Sequence, residues 1–374
     1  MIIETKLFKE SCNQILKAAA KSELTPITET LELKTAKVEP NNYLLLSVTN
    51  RDYFVSVKFA MQHEEEFHAT VNASTFLKLI GQITSDTVEL KCTEKYLSIK
   101  ANGSYKIPLI FKEDKLLDLP AITIENRLAE FDIDTTILKS IVKYNSRRVA
   151  KKIYAQDIQA SYYIDQEGCI TFSKGACWNK FELPQPVKFL LSDSVVKLFK
   201  LFEGEKVHFT LGCDPLTDTL MQTKVSFENE AISLTAITPN ANIESMPAEA
   251  VRAAAKGSYP HTVMLNREAL LQALNRLSVL SNDSKFVYGI FTMSVDELII
   301  EDLSKTNSEV LKYQDGSMVR TEYKFVQELN TLRQLLSDWS EEYINLMCGS
   351  NMTIIKRGAS VVDVLPEVIM NMEL

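Results

Sequence analysis

The sequence predicts an α+β chain of three similar domains in tandem, each with amphipathic helices packed on antiparallel strands. A helix, turn and alternating strand recur three times, beginning near Ser74, Ser192 and Lys324. A different helix with strand-like segments precedes each copy, and the composition turns Pro-rich or Ala/Gly-rich between copies, near residues 120 and 252. A chain of 374 residues has room for two to three domains of about 100–200 residues each. The expected domains are 1–124, 125–251 and 252–374, too long for a solenoid, whose period is about 20–50 residues.

The first domain opens on the amphipathic helix LFKESCNQILKAAA, followed by the strand-like YLLLSVTNRDYFVSVKF. Its second helix carries Phe76, Leu79, Ile80 and Ile83 at i, i+3, i+4 and i+7, one apolar stripe. After the turn Ser85-Asp86, Val88, Leu90 and Cys92 alternate with Glu89 and Lys91, the period of a half-buried strand. The second domain repeats the order: TTILKSIVKYNS and GCITFSKGACWNKFEL, then a stripe of Val195, Leu198, Phe199 and Phe202 and a strand of Val207, Phe209 and Leu211. In the third, NREALLQALNRLSVLS and FTMSVDELIIEDLS precede a helix striped by Phe325, Leu329, Leu332 and Leu336 and a strand from Tyr343 to Cys348. The segments LLDLPAITIENRL and ESMPAEAVRAAAKGSYP read as connectors.

A composition of 45% hydrophobic and 24% charged residues is that of a soluble globular protein. The N-terminus lacks the apolar run of roughly 7–15 residues of a signal peptide, and no run approaches the ~20 residues of a membrane span. A cytoplasmic location and no membrane partner are expected. The six cysteines are scattered without metal-type spacing and read as reduced, mostly buried thiols. His63, His68, His208 and His261 stand isolated, and no nucleophile, phosphate-loop or metal motif occurs. No catalysis, metal or cofactor is expected.

The formal net charge of −8 argues against a surface that grips nucleic acid everywhere. The outward helix faces run the other way. They carry Lys6, Lys9, Lys17, Lys78, Lys139, Lys143, Lys197, Lys200, Arg267, Arg276 and Arg333, against the acids Glu10, Asp193, Glu268 and Glu328. A single lysine there is ordinarily just solvated, but segregation of this extent is a footprint for phosphate. No aromatic residues are interleaved with these bases, which argues against a single-strand stacking platform.

The segment NRLSVLSNDSKFVYGIFTMSVDELIIE resembles the start of the third domain of the bacterial sliding clamp, the β subunit of the replicative DNA polymerase. SELTPITETLELK with LLLSVTNRDYFVSVKF is similar to that family's first-domain pattern, and the ending MNMEL resembles its Met-Pro-Met-Arg-Leu terminus. The resemblance covers all three modules. It implies the DNA clamp fold, a head-to-tail homodimer closed into a ring, helices lining a channel around double-stranded DNA, and sheets outside. It also implies sequence-independent DNA binding, no catalysis, and recruitment of the polymerase and clamp-loader subunits through short linear motifs. A clamp-fold accessory paralogue acting as a protein-recruiting adaptor is the alternative.

By the same resemblance, Tyr105 and Ile107 would meet Val279 and Leu280 of a second chain. The partner-peptide groove would be built from Ile158, Ser173, Gly175, Trp178, Asn242, Val368, Met370 and Met372. This region departs from the family. Its usual Thr-Asp-Gly-His-Arg-Leu becomes Ser173-Lys174-Gly175-Ala176-Cys177-Trp178, its Phe-Pro-Asp-Tyr-like stretch becomes Ala241-Asn242-Ile243-Glu244, and the final Pro and Arg become Asn371 and Glu373. Trp178 reads equally well as core.

Overall fold

A computed structural model describes residues 1–374 apart from 20–25, 39–40, 62–65, 151–157, 174, 218–219, 281–286, 338, 350 and 368–374. Among the described residues are seven α-helices: α1 (Thr5–Ala18), α2 (Ala73–Gln82), α3 (Thr135–Asn145), α4 (Asp193–Leu198), α5 (Ala248–Lys256), α6 (Arg267–Val279) and α7 (Leu329–Ser337). Six follow directly on a strand. Ile2–Glu4 runs into α1, His68–Asn72 into α2, Arg127–Asp134 into α3, Lys188–Ser192 into α4, His261–Asn266 into α6 and Tyr323–Glu328 into α7. At two of these junctions an asparagine ends the strand and caps the helix. Asn72 Oδ1 accepts from the Thr75 N–H at 2.9 Å, and Asn266 Oδ1 from the Ala269 N–H at 2.9 Å, satisfying donors that the first helical turn leaves unpaired.

The chain forms two compact units, Met1–Val142 with Ser194–Asn240, and Lys143–Asp193 with Ala241–Leu374. The first holds an antiparallel four-stranded sheet in the order Ile2–Glu4, Thr87–Cys92, Tyr96–Lys100, Ser104–Pro108. Its eight-stranded sheet is also antiparallel. There Tyr53–Met61 pairs with Ile232–Ile237, Val55 opposite Leu234, so strands distant in sequence share one ladder. Helix α1 buries Phe8, Cys12, Ile15 and Ala18, one stripe at i, i+4, i+7 and i+10. Phe8 meets Phe59 and Phe76 edge-on at 5.6 and 6.2 Å between ring centres, a preferred aromatic arrangement.

The second unit holds a nine-stranded sheet in which Ala176–Lys180 pairs with Val361–Pro366, and a four-stranded sheet edged by Ser308–Lys312. Its largest core gathers Leu270, Leu274 and Leu277 of α6 with Leu332 and Leu336 of α7 over Phe291, Phe325 and Ile344.

Two expectations are corrected here. Phe325 lies on the strand Tyr323–Glu328, opposite Phe291, so the third repeat's helix starts only at Leu329. The aromatic and β-branched residues of Tyr-Lys-Phe-Val favour the sheet. The stretch around residue 252, read as a connector, contains α5, which buries Ala248, Val251, Arg252 and Ala255; its alanines are helix formers. All six cysteines are free thiols, as the spacing predicted, and burial pushes Cys12, Cys177 and Cys348 up.

Asp214 ties residues 123–126 to the eight-stranded sheet. Its carboxylate accepts from the Glu125 and Asn126 N–H groups at 3.1 and 2.8 Å and from Lys224 Nζ at 2.9 Å, while Lys224 also reaches Thr123 O at 2.9 Å. The Asn126 N–H foremost, with Lys224, holds the carboxyl down to about 2, below its ordinary 3.8. A depressed carboxyl contributes stability that is full above the unfolded value and disappears as pH falls through the folded one. Asp214→Ala is therefore expected to cost about 1.5–3 kcal/mol at neutral pH and progressively less between about pH 4 and 2. Urea unfolding of both proteins across that range checks it; a cost that does not change with pH excludes the carboxylate as the tie.

Candidate nucleic-acid interface and partner surfaces

The strand-to-helix junctions fix which helix faces turn outward. On α1, Lys6 and Lys17 are exposed and Lys9 half-buried; Lys78 of α2, Lys139 and Lys143 of α3, and Lys197 of α4 are exposed. Lys200, on the 3-10 turn Phe199–Leu201 that continues α4, is exposed as well. The three arginines are more engaged within the chain. Arg267 donates to Glu341 O at 3.1 Å and Leu336 O at 3.2 Å and pairs with Glu268 at 3.0 Å, tying the end of α7 to the start of α6. Arg276 grips Glu309 with two bonds of 2.6 and 2.7 Å and holds that carboxyl below its ordinary value. Arg333 is half-buried on α7.

The four residues expected at a subunit contact fall into two kinds. Tyr105 is 37% exposed on Ser104–Pro108, the outer strand of its sheet, whereas Ile107 is only 4% exposed. Ile107 is thus a core residue of the first unit, corrected here as an interface side chain. Val279 and Leu280, at the end of α6, are 62% and 60% exposed. They stand beside a recess shared with Ser308 and Glu309 of the edge strand Ser308–Lys312. Val310 on that strand is 52% exposed. Sequence reasoning missed it, although an apolar residue among Ser, Glu and Lys at a strand edge was the available signal.

Of the expected groove residues, Trp178 and Ile158 belong to a second core, on the nine-stranded sheet. Trp178 is 3% exposed, packed with Ala176, Val251, Ala255 and Val362, and its Nε1–H donates to Glu167 O at 3.2 Å. Lys180 and Lys256 ammonium groups lie 4.8 and 5.4 Å from its ring centre, in cation–π range. Trp178 is therefore a core residue beneath α5, the alternative that the sequence left open. Ile158, Phe172, Ala241, Ile243 and Met352 are half-buried around this core. Ser173 is half-buried, and Asn242 is exposed and caps the turn at Ile243–Ser245. Gly175 adopts φ +128°, and a Cβ there would lie 2.6 Å from Val364 O, so close approach to the strand Val361–Pro366 demands glycine. Val368, Met370 and Met372 lie outside the described residues.

Two of the histidines that stand alone in sequence have carboxylate neighbours in space. His208 sits between Asp132 at 3.0 Å and Glu130 at 2.8 Å, which raise its pKa. His68 lies 3.1 Å from Glu32 and 3.6 Å from Asp118, the ligand atoms of all three within 4.8 Å of one another. Lys34, 3.0 Å from Asp118, already supplies a cation there. Among the described residues no helix is long and apolar enough to cross a membrane.

No protein-family model matches the sequence, and no curated protein matches it. Solved structures do match. The DNA polymerase III subunit β of Pseudomonas aeruginosa superposes with a TM-score of 0.82 at 13% identity, covering 99% of this chain and 100% of the other. The β subunit of DNA polymerase from Streptococcus pyogenes gives 0.81 at 14% identity over 99% of both chains. The DNA polymerase sliding clamp of Bacillus subtilis gives 0.79 at 14% identity, covering 99% and 98%. The likeness is one of fold, and it runs through both compact units.

Proposed function

We propose that this chain, which has the fold of the bacterial sliding clamps, is itself a non-catalytic clamp: a homodimeric ring that encircles double-stranded DNA and tethers a polymerase and other partners to it. The observation that carries this reading is the set of outward lysines on α1 to α4 in a chain of net charge −8. Dispersed cations hold a polyanion without registering on any one sequence, and an acidic remainder discourages contact elsewhere. The three domains are 1–124, 125–251 and 252–374, each contributing two of the six helices that directly follow a strand.

Ring closure would bring the open edge Ser104–Pro108 of one chain to the edge Ser308–Lys312 of a second, with Tyr105 against Val279 and Leu280. Unpaired strand edges recruit further strands, and apolar side chains contribute about 1.5–3 kcal/mol each when buried. Polymerase and clamp-loader peptides would dock on the half-buried rim of Ile158, Phe172, Ile243 and Met352. The alternative, an accessory adaptor with the clamp fold, is favoured by the replaced Ser173–Trp178 segment and predicts altered peptide preference with DNA encirclement reduced or lost.

Light scattering and plasmid retention test the reading. The chain is expected to run as a dimer, to stay on nicked circular DNA and to slide off after linearisation. Val279→Asp with Leu280→Asp should give folded monomers. Reversing Lys139, Lys143, Lys197 and Lys200 to Glu together should abolish retention, while single reversals change it little. A folded dimer of the quadruple variant retained as well as the parent overturns the assignment of these faces; equal retention on linear DNA overturns the ring.

A further inference from the structure

Asp363 is fully buried and serves two buried guanidinium groups. Its Oδ2 accepts from Arg357 Nε and Nη2 at 2.9 and 2.7 Å, and its Oδ1 faces Arg148 Nε at 3.4 Å. One carboxylate thus stands against two arginines; Arg148 Nη2 is buried without a hydrogen-bond partner, and so is Asp363 Oδ1, whose contact with Arg148 is ionic. Both arginines line a cavity of about 60 Å³ between the end of α3 and α7. Lys143 and Arg147 line it as well, with hydroxyls from Ser173 and Thr331. Among the described lining residues four are cationic and none carries a carboxylate.

A buried guanidinium left with an unpaired donor and surplus charge is costly in a low-dielectric setting. A neutral water would satisfy the donor and leave the charge. An oxyanion answers both, and a tetrahedral one suits donors that converge from several directions. A cavity of this volume has room for one phosphate-sized oxyanion.

We infer that this cavity is a binding site for a single phosphate group, held by Arg148, Arg147, Lys143 and Arg357. It differs from the other lysines of the helix faces because two of its arginines, Arg148 and Arg357, are fixed by burial beside Asp363. The phosphate is either a backbone diester of a nucleic acid or a free phosphoanion, and the inference stands apart from ring closure.

Titration calorimetry of the full chain with inorganic phosphate, in a chloride buffer, reads the site directly. One saturable site per chain is expected. Lys143→Gln, at the exposed mouth, should weaken it roughly tenfold, the loss of about one charge-assisted hydrogen bond. Arg148→Met should remove it, with folding checked by tryptophan fluorescence. A short duplex without terminal phosphates distinguishes the sources. Duplex binding that is weakened by both variants and competes with inorganic phosphate assigns the site to the backbone; phosphate binding unaffected by duplex assigns it to a free phosphoanion. No saturable phosphate binding together with duplex binding unchanged in both variants overturns the site, as does phosphate binding equal in parent and variants. Retention on circular DNA is scored separately and can persist if the site fails.

Discussion

Asp363→Asn is expected to lower the stability of the second compact unit by about 3–5 kcal/mol, because removing one partner of a buried ion pair strands the rest. Here the groups left without a countercharge are Arg357, which donates twice to Oδ2, and Arg148, 3.4 Å from Oδ1; the amide keeps one acceptor oxygen but not the charge. Asp363 is 0% exposed, so water cannot replace what is lost. The chain's two tryptophans, Trp178 and Trp339, both belong to this unit, and Arg357 lies over the Trp339 ring, 4.5 Å from its centre. Fluorescence-detected urea unfolding therefore reports the affected unit alone. Replacing Asp363, Arg357 and Arg148 together by apolar residues should cost less than the single change, since the desolvation penalty leaves with the charges. A loss below about 1 kcal/mol for Asp363→Asn would show that the two arginines find other partners and that the carboxylate is not their anchor.

The second large effect is expected at Trp178. Its ring fills the core beneath α5, and truncation to alanine should cost about 3–5 kcal/mol, the range for buried Phe and Trp. Trp178→Phe keeps much of the packing and loses only the bond to Glu167 O, so it should cost distinctly less. With Trp178 gone, Trp339 remains as the reporter. A cost under about 1 kcal/mol for Trp178→Ala, accompanied by weakened binding of partner peptides, would restore the ring to the surface of a groove.

The parts of the fold that were legible are those where one short window contains its own burial pattern. The stripe at Phe76 and Ile80, the alternation from Val88 to Cys92 and the outward lysines needed only local periodicity. The strands that lead into the helices were harder to see. His68–Asn72 and Lys188–Ser192 have five residues each, too few to separate a strand from a helix start, although Asn72 and Asn266 are cap residues in plain view. Phe325 fits the helical stripe by spacing alone, and only its pairing with Phe291 puts it on a strand. Tyr105 and Ile107, two apart on one strand, share a face, and only their place in the sheet decides that Ile107 is covered while Tyr105 stays exposed. The arginine and carboxylate cluster was invisible because Arg148 and Asp363 lie far apart in sequence, and nothing local marks a buried charge.

The pairing of Tyr53–Met61 with Ile232–Ile237 has a consequence for the protein's synthesis. Val55 and Leu234 are opposite one another across the ladder but about 180 residues apart, which takes a ribosome roughly 10–40 s at about 5–20 residues per second. Throughout that interval the nascent strand Tyr53–Met61 offers an open edge to any other extended segment. Lys58, whose partner Glu228 arrives only with the distant segment, puts a charge on that edge, and a lysine on a strand edge is a known deterrent to mispairing. The second unit waits as long for Val362 to reach Trp178. Both sheets are therefore completed late, and early release of the nascent chain leaves open one edge of Tyr53–Met61 and one edge of Ala176–Lys180 that the finished chain pairs.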